Sequence, residues 1–243
     1  MEKALLFSLL LMFAVTFGSA HAYETDVIPT STGDLKIAFI GHGTLMFTYG
    51  GKVVHVDPWS QLADYGKLPK ADLVLITHEH RDHLDLKALD AIRKDGTVVV
   101  TTEIAAKQVK DALVMKNGDV MASQGFTIEA VAAYNLVHMR NPGTPYHPRG
   151  DGNGYVITFA DRRVYIAGDS ENTPEMKALR NIDAAFLPMN LPYTMTPEMV
   201  ADAAKAFRPK ILYPYHFGET DVQKLAHMMK DGKEIEVRFR KMQ

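Results

Sequence analysis

There is no cysteine in the 243 residues of the chain. That excludes disulfides, a thiolate nucleophile, iron-sulfur ligation and a lipidated N-terminal cysteine, and it leaves only nitrogen and oxygen donors for any metal. An excess of one charge is lacking too: 27 basic residues stand against 29 acidic ones, a net charge of -2. Nothing electrostatic therefore draws the chain to nucleic acid or to an anionic membrane surface. Low-complexity tracts and linkers are also absent. The 47% hydrophobic content is that of a globular chain with a substantial core, which fits one large domain better than two small ones.

Only one long apolar run is present, and it lies at the start. Lys3 precedes the uncharged "ALLFSLLLMFAVTFG", and "AHA" closes at Ala22 with small residues at the spacing a signal peptidase needs. Residues 1–22 are therefore expected to be a cleaved secretory signal, with residues 23–243 forming a single domain in the periplasm or outside the cell. A retained anchor is the competing reading, because residues 4–20 approach the roughly 20 apolar residues that span a bilayer. No other stretch could span. Removing the signal takes away one charge of each sign and leaves the net charge unchanged.

Beyond Ala22 the chain has a readable rhythm. "LKIAFI" (35–40), "LMFTY" (45–49) and "KVVHV" (52–56) read as strands, with Gly50-Gly51 as a two-residue hairpin loop between the last two. From Leu73 strands alternate with helices: strand "LVLIT", helix "DLKALDAIRKDG", strand "TVVVT", helix "EIAAKQVKDALVMKNG". A second block begins with the strands "FTIEAVAAY", "YVITFA" and "RVYIAGD". The helix "TPEMKALR", the strand "DAAFLPM", the helix "TPEMVADAAKAF", the strand "KILYPYH", the helix "TDVQKLAHMMKDG" and the strand "EIEVRFR" complete it. Both Thr-Pro-Glu openings place Thr at the N-cap and Pro at the first helical position. Two such blocks predict two mixed sheets packed face to face with helices outside, a four-layered α/β sandwich (αββα). Residues 135–154 show no periodicity, and loops of that length tend to be functional.

Ten histidines occur in the chain, and "THEHRDH" puts three of them within six positions, directly behind a buried strand. The C-terminal ends of strands are where open α/β sheets present ligands. Imidazole and carboxylate suit zinc, and also manganese or iron. In one turn His78 and His80 can converge on one ion while Asp82 and His83 face a second. Further donors sit at matching positions: Asp169 after "RVYIAG", where Gly168 permits close backbone approach, His216 ending "KILYPYH", and His147 or its competitor His138 in the irregular loop. His55, inside an apolar strand, reads as a core residue or one that supports the donors from behind, and His227 as a surface one. His21 falls within the signal.

"THEHRDH" resembles the HxHxDH signature of the metallo-β-lactamase-fold hydrolases. "VDP" before it, a histidine in the middle of the chain, "AGDS" and the late "YPYHFG" come in the family's order, so that the resemblance runs over about residues 35–220. "GHGTLMF", "HPRGDGNGYVI", "IAGDS" and "LPYTMTPEMVADAAKAFRPK" are similar to the branch of ascorbate-6-phosphate lactonase-like proteins and the phospholipase D that releases N-acylethanolamines. The resemblance implies two divalent ions, Zn²⁺ first and Mn²⁺ or Fe as alternatives. His78, His80 and His147 would hold one, Asp82, His83 and His216 the other, and Asp169 would bridge them, while Asp57 would orient a ligand by hydrogen bonding. One departure stands out. Many relatives of this branch carry a histidine after the pair that corresponds to Ala133-Tyr134, and here Asn135 occupies that place, so His147 or His138 must supply the donor from the loop.

A paired site of this kind makes hydroxide available at neutral pH. Asp82 could orient that hydroxide and carry its proton, and His42 and Tyr193 are candidates for the substrate rim. The expected function is an exported metal-dependent hydrolase of an ester, lactone, amide or phosphodiester in a small-molecule substrate. An oxidoreductase or dioxygenase of the same fold, and a metal-binding module without turnover, are the alternatives.

Overall fold

The computed structural model describes residues 23–242; the proposed signal, residues 1–22, lies outside the described residues. In chain order the first half contains strands β1 (Glu24–Thr30), β2 (Gly33–Gly41), β3 (Thr44–Tyr49), β4 (Lys52–Val56), β5 (Leu73–Leu75), helix α1 (Leu86–Ile92), β6 (Val98–Thr101), α2 (Glu103–Ala106) and β7 (Leu113–Val114). The second half contains β8 (Val120–Ser123), β9 (Phe126–Ala133), β10 (Met139–Asn141), β11 (Thr144–Pro145), β12 (Gly152–Phe159), β13 (Arg162–Ile166), α3 (Pro174–Lys177), β14 (Ala184–Pro188), α4 (Pro197–Phe207), β15 (Ile211–Tyr215), α5 (Val222–Met229) and β16 (Glu236–Val237). Strands β1 to β7 form one sheet in sequence order; the second runs β16-β15-β14-β13-β12-β9-β8. Both are mixed: β4, β5, β6 and β7 are parallel neighbours in the first sheet, as are β13, β14, β15 and β16 in the second.

The expected sandwich forms because each inner face is apolar. Phe39 and Phe47 of the first sheet meet Tyr213 and Phe159 of the second, with ring centroids 5.2 and 5.6 Å apart. In β5 the alternation of side chains splits one apolar run between two clusters: Leu73 and Leu75 join the core between the sheets, while Val74 packs outward under Ala88, Leu89 and Ile92 of α1. On the other flank Val200, Ala204 and Phe207 of α4 and Leu225 of α5 are buried in the main core. Thr173 and Thr196 cap α3 and α4 by accepting hydrogen bonds from Met176 N and Met199 N, as the repeated Thr-Pro-Glu implies. Gly50 and Gly51 both adopt positive φ, as a two-residue hairpin requires.

Four expectations about elements are corrected. The helix expected over 103–118 stops at Ala106; Asp111 turns left-handed with φ 58°, and Leu113–Val114 leave as β7 to pair with the otherwise open edge of β6. Helical spacing lost there to backbone pairing. The strand expected over "EIEVRFR" is only Glu236–Val237, because Arg238 and Arg240 turn away to Asp26. The aperiodic stretch 135–154 contains a small hairpin, β10 with β11, and the start of β12. Strands β1 and β8 also form where none was expected; both are sheet edges, where half-exposed side chains weaken the alternation.

Asp26 fastens β1 to the far end of the chain. Its carboxylate accepts from Tyr213 Oη at 2.6 Å, Arg238 Nη1 at 3.0 Å and Arg240 Nη2 at 2.8 Å. Burial opposes ionisation, but these three donors outweigh it and lower the carboxyl's pKa. Asp26→Ala should cost about 2 kcal/mol, the scale of hydrogen bonds to a charged group, read as a lower urea midpoint at neutral pH.

Candidate metal centre

The two sheets present the C-terminal ends of their parallel strands at one edge, and the chemically notable residues lie just past them. Asp57 follows β4, His78 to His83 follow β5, Asp169 follows β13 and His216 follows β15. Gly168 adopts φ +63°, and a Cβ there would sit 2.9 Å from Thr77 Cβ and 3.0 Å from Asn153 O. Glycine is what lets Asp169 come this close to the loop after β5. His42, Asp57 and His216 hold left-handed backbone conformations with φ of 50°, 45° and 45°. Side chains seldom tolerate that region, and it collects at functional sites.

Two groups of donors converge there. The rings of His78, His80 and His147 have centroids 4.6 to 5.1 Å apart. Beside them, His83 Nε2 is 3.6 Å from Asp82 Oδ2 and 3.2 Å from His216 Nε2. Asp169 stands between the groups. Its Oδ2 is 3.3 Å from His147 Nε2, while its Oδ1 is 3.5 Å from His83 Nε2 and 3.4 Å from His216 Nε2. The seven residues singled out in the sequence as donors thus form one cluster. His138 is not among them: its Nδ1 lies 2.7 Å from Glu171 Oε1. The loop donor in the cluster is His147.

The groups behind the donors fix which nitrogen faces inward. The Thr77 hydroxyl donates to Asp57 Oδ2 at 2.7 Å, so at 3.0 Å from His78 Nδ1 it can only accept. His78 therefore carries its proton on Nδ1 and points the lone pair of Nε2 into the cluster. His83 Nδ1 donates to Asp57 Oδ2 at 2.8 Å, which turns Nε2 towards Asp82, Asp169 and His216, and Asp57 is held in turn by Thr77 N at 2.8 Å. Asp57 therefore lies at the Nδ1 side of His83, away from Nε2. His147 Nδ1 lies 2.8 Å from Asn135 Oδ1.

Charge completes the picture. Burial, reinforced by His83, holds His78 well below its ordinary pKa, and burial with His147 lowers His80; both are neutral, as a metal ligand must be. At His83 burial acts in the same direction, but Asp169, Asp57 and Asp82 overcome it and raise the imidazole to about 10. Asp169 stays ionised despite burial, because His216, His83 and His147 surround it. Three carboxylates around one imidazole form a cation-seeking cluster. His78 Nε2 and Asp169 Oδ1 are buried without any hydrogen-bond partner, and such orphaned atoms carry a cost unless something satisfies them. Imidazole nitrogens and carboxylate oxygens are the donors that divalent cations take, and a cation bound at His83 would replace its Nε2 proton.

A cavity of about 190 Å³ opens beside the first group. His78, His80 and Asp169 form one wall; Arg140 and Tyr146, from the hairpin and the residue after it, form another, with Glu79 and Asp151 nearby. Tyr193 is 45% exposed and meets Tyr146 edge-on at 5.0 Å, so it buttresses the lining without belonging to it. His42 lies outside that lining, its Nε2 3.1 Å from Asp82 Oδ2 and its ring centroid 3.7 Å from that of His216, tilted by 40°. Sequence reasoning missed Thr77, Asn135 as a hydrogen-bond partner, and Glu171. Glu171 is fully buried and accepts from the backbone N–H groups of Leu136, Val137 and His138 at 2.6 to 2.8 Å. Only its adjacency to "GDS" could have drawn notice.

The chain is similar to known proteins along most of its length. A family model described as the beta-lactamase superfamily domain matches residues 36–216. The chain is 30% identical over 201 residues to a UPF0173 metal-dependent hydrolase of Pyrobaculum islandicum, which covers 75% of this chain and 84% of that protein. Among solved structures it is similar to one from Parabacteroides distasonis, named for metal-dependent hydrolysis, with TM-score 0.87 and 50% identity over 91% of this chain and 100% of that one. It is also similar to a metallo-hydrolase of Ignicoccus hospitalis, with TM-score 0.70 and 25% identity over 84% and 94% of the two chains. Two mixed sheets, strand ends gathered at one edge, and relatives of this kind along most of its length agree: the chain belongs to the metallo-β-lactamase superfamily and is a metal-dependent hydrolase.

Proposed function

We propose that the protein is an exported dinuclear hydrolase that cleaves an ester, lactone, amide or phosphodiester bond in a small substrate. The observation that carries this reading is Asp169, whose two oxygens face different donor groups and so suit a carboxylate shared by two ions. His78, His80 and His147 would hold one ion, and Asp82, His83 and His216 the other. When bound, two such ions, Zn²⁺ first among the candidates, would supply Lewis acidity and lower the pKa of water towards neutrality.

The chain's own residues do the rest. Asp82 is a third exposed, and its Oδ2 faces His42, His83 and His216, so a carboxylate oxygen of Asp82 is placed to take up a proton released as water attacks. His42 Nε2–H, donating to Asp82 Oδ2, would steady that carboxylate. Arg140 lies 5.9 Å from the Tyr146 ring centroid, and the two would orient the substrate in the cavity. Tyr193 would act on the substrate only through Tyr146. Export rests on the charge, apolar run and "AHA" of residues 1–22, and it predicts a mature protein that begins at Tyr23, which mass spectrometry of the exported form would read.

Metal analysis with a panel of chromogenic esters, lactones, amides and phosphodiesters tests the reading. Purified protein should hold two equivalents of metal and turn over at least one bond class. A variant with His78, His80 and His83 all changed to Ala should lose both metal and activity; retention of both would refute the proposal. His147→Ala should lose one equivalent, while His138→Ala should keep two and remain within a few-fold of full activity. The reverse pattern would show that the loop donor is His138. No described helix is long and apolar enough to cross a membrane.

A further inference from the structure

Residue 135 is where this chain departs from the branch it resembles, and the structure shows what the asparagine does there. Its side chain makes four hydrogen bonds, all within 3.1 Å. Nδ2 donates to Glu171 Oε1 at 3.1 Å and to Tyr193 O at 2.8 Å; Oδ1 accepts from His147 N at 2.8 Å and lies 2.8 Å from His147 Nδ1. The backbone adds a fifth, Asn135 N to His147 O at 2.9 Å. Residues 135 and 147, twelve apart, are thereby clamped side by side.

The orientation of that amide is determined by its neighbours. A carboxylate and a backbone carbonyl can only accept, so the NH₂ group must face Glu171 and Tyr193 O. The amide oxygen then has one direction left, towards His147. Because an amide oxygen can only accept, the proton of a neutral His147 must sit on Nδ1. Its Nε2 lone pair consequently faces Asp169 Oδ2, 3.3 Å away, and the rings of His78 and His80. Glu171 holds the amide in place while it gathers the N–H groups of residues 136 to 138, so the whole turn after β9 is organised around one buried carboxylate.

We propose that Asn135 is a positioning residue for the metal centre: it locks His147 in the Nδ1–H tautomer with Nε2 turned to the cluster, and Glu171 locks Asn135. This rests on the reading of His147 as a metal donor. The donor at residue 147 is thus oriented by a side chain from twelve residues earlier in the chain. The device matches that at His78 and His83, whose Nδ1 atoms are tied to Thr77 and Asp57. Outer partners of this kind typically contribute about 10- to 100-fold to metal affinity.

The test uses the full mature chain loaded with zinc. Long-range ¹H–¹⁵N correlation spectra of the wild-type histidine rings should show His147 protonated at Nδ1 and zinc-bound through Nε2; the opposite tautomer would overturn the inference without any substitution. In competition with a chromophoric chelator, Asn135→Leu, of similar size but unable to accept, should release one of two zinc equivalents about 10- to 100-fold more readily and leave the other unchanged, which also reports an intact fold. Asn135→Asp keeps an acceptor but sets a carboxylate against Glu171 Oε1 and Tyr193 O, so the lock is lost and the same zinc equivalent should again be released more readily while the other is unchanged. Weakening of both zinc equivalents alike, or wild-type affinity in folded Asn135→Leu, would overturn the inference; should Asn135→Leu not fold, the wild-type spectra decide. His147→Ala, run alongside, separates the two readings. If it keeps both equivalents at wild-type affinity, the ligand set itself is wrong and the inference falls with it; if only Asn135→Leu behaves as wild type, the ligand set stands and the positioning role falls.

Discussion

Asp169→Ala should strip both ions of the proposed dinuclear site and lower turnover by about 10³-fold or more, because the metals of such a site are worth several kcal/mol of transition-state stabilisation. The size follows from position. One oxygen faces His147 and the other faces His83 and His216, so a single side chain completes both donor groups. Its removal leaves those three imidazoles around a void, and the charge that would offset two divalent cations falls by one. Asp169→Asn keeps one carbonyl oxygen and should retain one equivalent weakly. Elemental analysis of dialysed protein, with turnover on the best substrate of the panel, checks both variants. An alanine variant that kept two equivalents and turned over within tenfold of wild type would mean that Asp169 does not bridge.

Acid should destabilise the fold through a histidine that has no part in the metal centre. His55 is buried in β4, donates from Nε2 to Pro69 O at 3.0 Å, and its pKa is pushed down by burial to about 4, despite that hydrogen bond. An unfolded chain takes up the same proton near 6.5. Between those values the unfolded state binds more protons than the folded one, so stability rises with pH across the window. The contribution is complete above about 6.5 and is lost as pH falls to about 4, an effect on the order of 3 kcal/mol. Metal-free protein, unfolded in urea at pH 7.5 and 4.5, isolates this from metal release. His55→Leu should be less stable than wild type at pH 7.5, since Pro69 O loses its donor, yet lose about 2 to 3 kcal/mol less on acidification. An unchanged acid slope would mean that His55 is not the group responsible.

Most of the fold was legible because its central strands carry their own signal. In β5, β6, β14 and β15 a short apolar run is buried on both faces, and runs of that kind read as strands whatever covers them. The edges were not legible. Strand β1 contains Pro29 and mostly exposed side chains, which an edge strand tolerates and a sequence pattern does not advertise. Residues 103–118 keep helical spacing, and only the free edge of β6, formed far from any local signal, draws Leu113–Val114 into pairing.

The metal centre divides in the same way. His78, His80, Asp82 and His83 were legible as one motif, and Asp169 and His216 as polar residues ending apolar strands. The sequence favours His147 over His138 but cannot close the choice, because both lie in one aperiodic loop. Glu171 decides it by holding the turn at 136 to 138 and leaving His138 beside its own carboxylate, outside the cluster. That information resides in a buried carboxylate 33 residues away, contacted only once β9 and β13 are side by side with β12 between them.

Anomalous diffraction at the metal edge, from crystals of the metal-loaded protein, tests the central claim most directly. The predicted result is two peaks, one bounded by His78, His80 and His147, the other by Asp82, His83 and His216, with Asp169 touching both. A single peak, or a pair at which Asp169 serves only one ion, would contradict it.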